Sequence, residues 1–399
     1  MQARGLLASP RFRTLPPLSL YIHIPWCVRK CPYCDFNSHE ARGEVPEERY
    51  IASLIADLDQ SLPLVWSRRV YTIFFGGGTP SLLSADAIET LLSAVRARVP
   101  LAVDAEITLE ANPGTFEAAK FAAYRAAGVN RLSIGIQSFN SRHLNALGRI
   151  HDDVQARRAI EIAREYFDNF NLDLMYALPG QTPVEAQCDI DAAIAWHAPH
   201  LSVYHLTLEP NTYFHRYPPV VPDEDTAAQM QEQIALRLRE SGYDHYETSA
   251  YAQPGRRSRH NLNYWMFGDY LGIGAGAHSK LSFPERVLRQ ARYRQPRDYM
   301  ERALSGSAVQ SDQPVAATEI AFEFMMNALR LNDGFPSSLF QERTGLPLVT
   351  VLPLLDQAEG RGLIERDHER IAPTELGRRF LNDLLEIFLV PAAITRDEA

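Results

Sequence analysis

Residues 21–36 read YIHIPWCVRKCPYCDF, with Cys27, Cys31 and Cys34 separated by three and then two residues. The chain of 399 residues holds only four cysteines, and three of them fall in this segment. So few thiols, so close together, make no disulfide framework. Three thiolates on one loop can hold three irons of a [4Fe–4S] cube. No fourth cysteine is near, so one iron is left open to a small ligand. Structural zinc is the alternative, with His39 or Asp35 as the fourth ligand. Cys188 falls in the middle of a later helical stretch and reads as a small buried apolar side chain.

The triad follows directly on Leu18–Ile24 (LSLYIHI), the first of six apolar runs of strand length. The others are Val70–Phe75, Glu106–Glu110, Arg131–Ile136, Asn171–Tyr176 and Leu201–Leu206. Most lack polar alternation, as strands buried on both faces do. Helical patterns lie between them: Pro46–Leu62, Ser84–Val99, Thr115–Ala127, Asp152–Phe167 and Pro183–Trp196. A sixth, Asp223–Glu240, follows the last run. Six strand–helix units in series predict an α/β fold with a parallel sheet. The pattern alone leaves a six-unit partial barrel and a doubly wound sheet both open.

Residues 18–243 thus form one unit, preceded by an arm over 1–17. The arm carries Arg4, Arg11 and Arg13 but no compact apolar core, so it reads as no signal peptide and places the chain in the cytoplasm. Residues 244–313 read as an irregular extension, with the segment HNLNYW at 260–265 and a glycine-rich stretch at 271–278. Residues 314–399 read as a helical, winged-helix-like domain: three helices, a small hairpin, and a last helix over Glu375–Phe388. That domain carries 8 Arg against 14 Asp and Glu, and the whole chain has a net charge of −9. Such a balance excludes nonspecific nucleic-acid binding and favours a structural or partner-docking role. No run reaches the ~20 apolar residues that a membrane-spanning helix needs.

Further polar and flexible positions gather after the strands. GGGTP at 76–80 follows the second; its glycines allow close approach of a ligand, and their N–H groups are expected to be free to bond it. Glu110, Gln137 and Asp173 read as strand-end side chains, with Arg149 following the fourth strand. Such a set at the carboxyl edge of one sheet favours ligand binding.

The triad, with Tyr33 before its third cysteine and placed after the first strand, resembles the radical S-adenosylmethionine (SAM) superfamily. The resemblance implies a (βα)6 partial barrel and a [4Fe–4S] cluster whose open iron takes SAM. It also implies reductive cleavage of SAM to methionine and a 5′-deoxyadenosyl radical. It places Gly77, Gly78 and Thr79 at the methionyl end of SAM, and Tyr21 and Tyr33 near the cluster and the adenine. YIHIPWC, CPYCDFNSH, FFGGGTPSLL, LEANPGT, RLSIGIQSFN, LGRIH and LDLMYALPGQT further resemble the coproporphyrinogen III dehydrogenase-like group over nearly the whole chain.

That group has an oxygen-independent dehydrogenase branch, which turns propionates into vinyls, and a haem-chaperone branch; a radical methyltransferase of the group is a third reading. Three features point to the chaperone branch. The dehydrogenase has a further cysteine where Phe36 stands here. It has a longer N-terminal extension. And HNLNYW matches the HNxxYW signature of the chaperones, which makes His260, Tyr264 and Trp265 haem candidates and His278 a further one. The implied cofactors are the cluster, SAM and haem; the implied partner is a haem acceptor in the respiratory machinery.

Overall fold

The computed structural model describes residues 9–114 and 119–389. The start of the helix expected from Thr115, the first eight residues of the N-terminal arm and the last ten residues lie outside that range.

Six parallel strands follow one another in the sheet: β1 (Leu18–Ile24), β4 (Val70–Gly77), β5 (Leu101–Ala111), β6 (Arg131–Gln137), β7 (Phe170–Tyr176) and β8 (His200–His205). Between β1 and β4 lie two short strands, β2 (Trp26–Cys27) and β3 (His39–Glu40), which pair with each other in parallel. The six-strand core is the (βα)6 half-barrel expected. The face of the sheet turned to the helices is apolar at Ile22, Ile73, Leu109, Leu132, Ile134 and Leu172, all fully buried in one core with Leu54, Ile88 and Leu91 of the helices. Three of the connecting helices start where the sequence supplies a cap. Ser84 accepts from the amide of Ala87, and capping boxes join Asp152 to Gln155 and Thr182 to Glu185.

The extension proves regular, against the expectation that the strand pattern stops near residue 243. After the antiparallel pair β9 (Asp244–Glu247) and β10 (Ala250–Ala252), β11 (Asp269–Ile273) pairs in parallel with β1. From there β12 (His278–Phe283), β13 (Arg286–Arg292) and β14 (Val309–Pro314) add on in antiparallel fashion, completing a sheet of twelve strands. These strands are short and polar. β14 (VQSDQP) is exposed along almost its whole length, as an edge strand can be, so no apolar period marks it.

The C-terminal part has helices Ala317–Ala328, Ser337–Thr344 and Leu352–Gly360. A small sheet joins β15 (Phe335–Pro336), β17 (Arg370–Pro373) and β16 (Ile364–Arg366). The expected last helix is broken into Glu375–Arg379 and Leu381–Glu386. Its core centres on Phe324, whose ring meets Phe335, Phe340 and Phe267 edge-on at 5.1, 5.2 and 5.8 Å. Phe267 and Val287 of the extension belong to this core. Among the described residues no helix is long and apolar enough to cross a membrane.

Candidate functional site

The cysteine loop is closed at its base. Register between β2 and β3 pairs Trp26 with His39 and Cys27 with Glu40. The amide of His39 donates to Pro25 O at 2.7 Å, and that of Ala41 to Cys27 O at 2.9 Å. Inside the loop, Lys30 Nζ donates to the carbonyls of Phe36 (3.1 Å) and Ser38 (3.3 Å). Backbone and one lysine therefore hold the fold of the loop, and the three thiols form no disulfide and are partly buried. Burial raises the Cys27 thiol above its usual range, and the neighbouring thiols of Cys34 and Cys31 raise it further. Binding a metal cluster there must displace protons.

One cation faces this loop. Arg149 Nη1 lies 3.6 Å from Cys31 Sγ, while Nη2 donates to Asn112 Oδ1 at 2.7 Å and to Gly135 O at 2.9 Å. Asn112 in turn donates to Thr79 Oγ1 at 3.1 Å. A continuous set of contacts thus runs from the glycine loop to the cysteine loop. Tyr33 packs near Phe214, with ring centroids 6.4 Å apart; burial raises its phenol, the Arg149 charge opposes this and Cys31 adds to it.

Glycine is required at two positions of GGGTP. At Gly77 φ is +113°, and a Cβ there would stand 2.5 Å from the His23 ring; at Gly78 it would stand 2.5 Å from Trp26 O. The expectation that these amides are free is corrected. Gly77 N donates to Glu110 Oε2 (3.2 Å), Gly78 N to Ile24 O (2.7 Å) and Thr79 N to Trp26 O (2.7 Å). The glycines let the loop lie against β1 and the cysteine loop, and their N–H groups are consumed in doing so.

Tyr21, Gly77 and Glu110 line a cavity of about 470 Å³ at the carboxyl ends of β1, β4 and β5. The cysteine loop contributes Phe36 and Asn37 to it, and the extension contributes Tyr264, Tyr270, His278 and Arg294. Burial pushes the Glu110 carboxyl up to about 8; the charge of Asp173 adds to this and the Gly77 amide opposes it. Asp173 itself does not stand at a strand end. It sits in the middle of β7, bonded to Ser133 Oγ (3.0 Å) and Asn171 Nδ2 (2.8 Å), and burial raises its pKa. Gln137 does end its strand, with φ of +67°, a strained conformation for a residue with a side chain. Cys188 is exposed on its helix, against the buried position expected.

HNLNYW forms a short helix, Arg259–Trp265, docked across the sheet. The Glu106 carboxylate accepts from the first amides of the helix, Arg259 N (3.2 Å) and His260 N (3.0 Å). His260 is only 1% exposed; its Nδ1 lies 2.7 Å from Thr72 Oγ1, and its ring stacks on Phe74 at 4.9 Å. Asn263 Nδ2 donates to Ser19 Oγ and to Asp269 O, both at 2.9 Å. Trp265 packs beneath the Arg330 guanidinium at 4.4 Å. Of the three expected haem residues, therefore, only Tyr264 reaches the cavity; His260 and Trp265 hold the helix to its neighbours.

Reading the sequence missed Asn112, His23 and Asn37. His23 Nδ1 meets Tyr21 OH at 3.0 Å and its Nε2 meets Asn37 O at 2.9 Å. The available signal was position, since Asn112 directly follows the end of β5, two residues after Glu110.

Residues 21–191 match the family model described as the radical SAM superfamily, and residues 315–380 match the HemN C-terminal domain. The chain is 53% identical over 377 residues to a protein of Escherichia coli K12 named heme chaperone HemW, covering 94% of this chain and 99% of that one. It is 34% identical to the heme chaperone HemW of Bacillus subtilis strain 168, over 93% and 99% of the two chains. The solved structure of coproporphyrinogen III oxidase (HemN) from Escherichia coli, titled a radical SAM enzyme, superposes with a TM-score of 0.80. That match has 24% identity over 94% of this chain and 90% of that one, and it speaks for the fold alone. On these grounds the chain belongs to the radical SAM superfamily and, within it, to the family of the heme chaperone HemW proteins.

Proposed function

We propose that this chain is a haem chaperone of the radical SAM type, which binds a [4Fe–4S] cluster, SAM and haem and delivers haem to an acceptor protein. One observation carries the reading. A single cavity of about 470 Å³ has Glu110 and Gly77 on its floor, Phe36 of the cysteine loop on one side, and Tyr264 and Tyr270 of the extension on another. Such a space supports a reading in which SAM lies at the sheet edge and a porphyrin packs against aromatic side chains beside it. Phe36 stands where the dehydrogenase branch has its further cysteine.

Cys27, Cys31 and Cys34 hold the cluster, and Arg149 sets a fixed positive charge beside Cys31. A bound cluster supplies an open iron for SAM and a low-potential electron. Gly77, Gly78 and Thr79 shape the edge against which SAM lies, with Tyr21 and Glu110 beside it in the cavity; Tyr33, Gln137 and Asp173 are further cofactor candidates. Glu110 offers a carboxylate to a cationic ligand, at the cost of releasing the proton that burial keeps on it. The acceptor, in this reading, is a component of the respiratory machinery met in the cytoplasm.

Anaerobic reconstitution with iron and sulfide, followed by titration with haem, tests the proposal. Haem binding near one per chain, with a Soret band and no vinyl product from coproporphyrinogen, is expected. Vinyl product with SAM and a reductant, and no haem binding, would assign the chain to the dehydrogenase reaction instead.

A further inference from the structure

We infer that haem is held at the wall formed by the 276–278 turn and the 292–294 segment, with His278 as its axial ligand and Arg294 as the partner of a propionate. The inference rests on the chaperone reading and deepens it by moving the iron ligand away from HNLNYW.

The wall is built on backbone. Gly276 N donates to Tyr293 O at 2.8 Å and Arg292 N to Ala277 O at 2.9 Å, so the turn and the end of β13 move as one piece. The cysteine loop fastens the same piece. Asn37 Nδ2 donates to Ala275 O and to Arg294 O, both at 3.0 Å, while Asn37 O meets His23 Nε2. Two side chains stand on this ordered support with nothing to hold them. Among the described residues neither the His278 ring nor the Arg294 guanidinium has a hydrogen bond or an ion pair, yet both line the cavity. Both are exposed, in contrast to buried His260.

Their chemistry is that of a carboxylate-bearing iron porphyrin. An imidazole ligates haem iron in its neutral form. Partial burial, and then the charges of Arg289, Arg294 and Arg292, lower the pKa of His278 and keep the ring neutral near pH 7. A guanidinium takes a carboxylate in bidentate fashion. The Tyr264 and Tyr270 rings, 4.5 Å apart at their centroids and tilted by 55°, and the 60%-exposed Phe36 give aromatic surface against which the edge and face of a macrocycle can pack. Arg289 is not available for the second role, because it is already paired with Glu323 and Tyr270.

The test uses the reconstituted full chain. His278→Ala, which breaks no bond of the fold, is expected to keep its cluster and its thermal midpoint. It should bind ferric haem about tenfold or more weakly, with a shifted Soret band that added imidazole restores. Arg294→Gln is expected to weaken haem but not the dimethyl ester of haem. If wild-type protein binds haem and His278→Ala leaves the Soret position and affinity unchanged, this placement is wrong while the chaperone reading stands. If wild-type protein binds no haem, the chaperone reading itself fails. Should His278→Ala fail to fold, the Arg294→Gln comparison decides: equal losses for haem and its ester overturn the placement.

Discussion

Arg149 touches Cys31 with one nitrogen, at 3.6 Å from Sγ, and ties Asn112 and Gly135 O with the other. The residue is anchored from β5 and β6, so its charge stands at a fixed place beside the cysteine loop. Removing that charge makes reduction of a nearby anionic cluster harder. Arg149→Gln should therefore lower the cluster's reduction potential by about 50 mV or more. A redox titration followed by electron paramagnetic resonance checks this; an unchanged potential contradicts the role given to Arg149.

Glu110 carries a pH signature. Its ordinary value is 4.5 and the fold raises it to about 8. Between those two values the unfolded chain has lost a proton that the folded one keeps. This contribution to stability is therefore present in full below about 4.5 and is lost as pH rises toward 8. Glu110→Gln should flatten the fall in stability over that window, measured by denaturant unfolding at several pH values. SAM affinity in the wild type should instead increase with pH toward 8, as the carboxylate ionises, and that slope should vanish in the variant.

The His260 imidazole is part of the fold. His260→Ala should cost about 1–3 kcal/mol of stability, because Thr72 loses a buried partner. Haem affinity of the folded variant should remain within about threefold of wild type. A loss of haem binding without loss of stability would return His260 to the ligand role.

Much of this was legible in the sequence, and the remainder failed for identifiable reasons. The six parallel strands announced themselves because both of their faces are buried, which makes apolar runs such as LSLYIHI unavoidable. The cysteine triad was legible because thiols are rare and their spacing is chemical. The strands of the extension were hidden because β12 and β13 mix buried Lys280 and Arg292 with apolar residues. Those charges pair with Asp269 and Asp57, contacts that no local pattern reveals. The anchoring of HNLNYW was hidden for a related reason: it bonds to Thr72, Ser19 and Glu106, from strands far away in sequence, and no local pattern shows those partners.

The Asp57–Arg292 pair is fully buried, with Nε 3.3 Å from Oδ1. Asp57 also accepts from Gly274 N (3.2 Å) and Tyr299 OH (2.9 Å), which sets the turn that leads to His278. Asp57→Ala leaves a buried guanidinium without its counter-charge and should cost about 3–5 kcal/mol. The double variant Asp57→Leu with Arg292→Met should cost less than the single one. Chemical unfolding of the three proteins checks this, and a larger loss in the double variant contradicts it.

The central claim is that three thiols on one loop carry an iron–sulfur cube with one corner left for SAM. Analysis of anaerobically reconstituted protein for metal and acid-labile sulfide tests it most directly. The account predicts about four irons and four sulfides per chain, brown absorbance near 400 nm, and loss of that absorbance when Cys27, Cys31 or Cys34 is replaced by Ser. Stoichiometric zinc without sulfide, or a full cluster in all three variants, would contradict it.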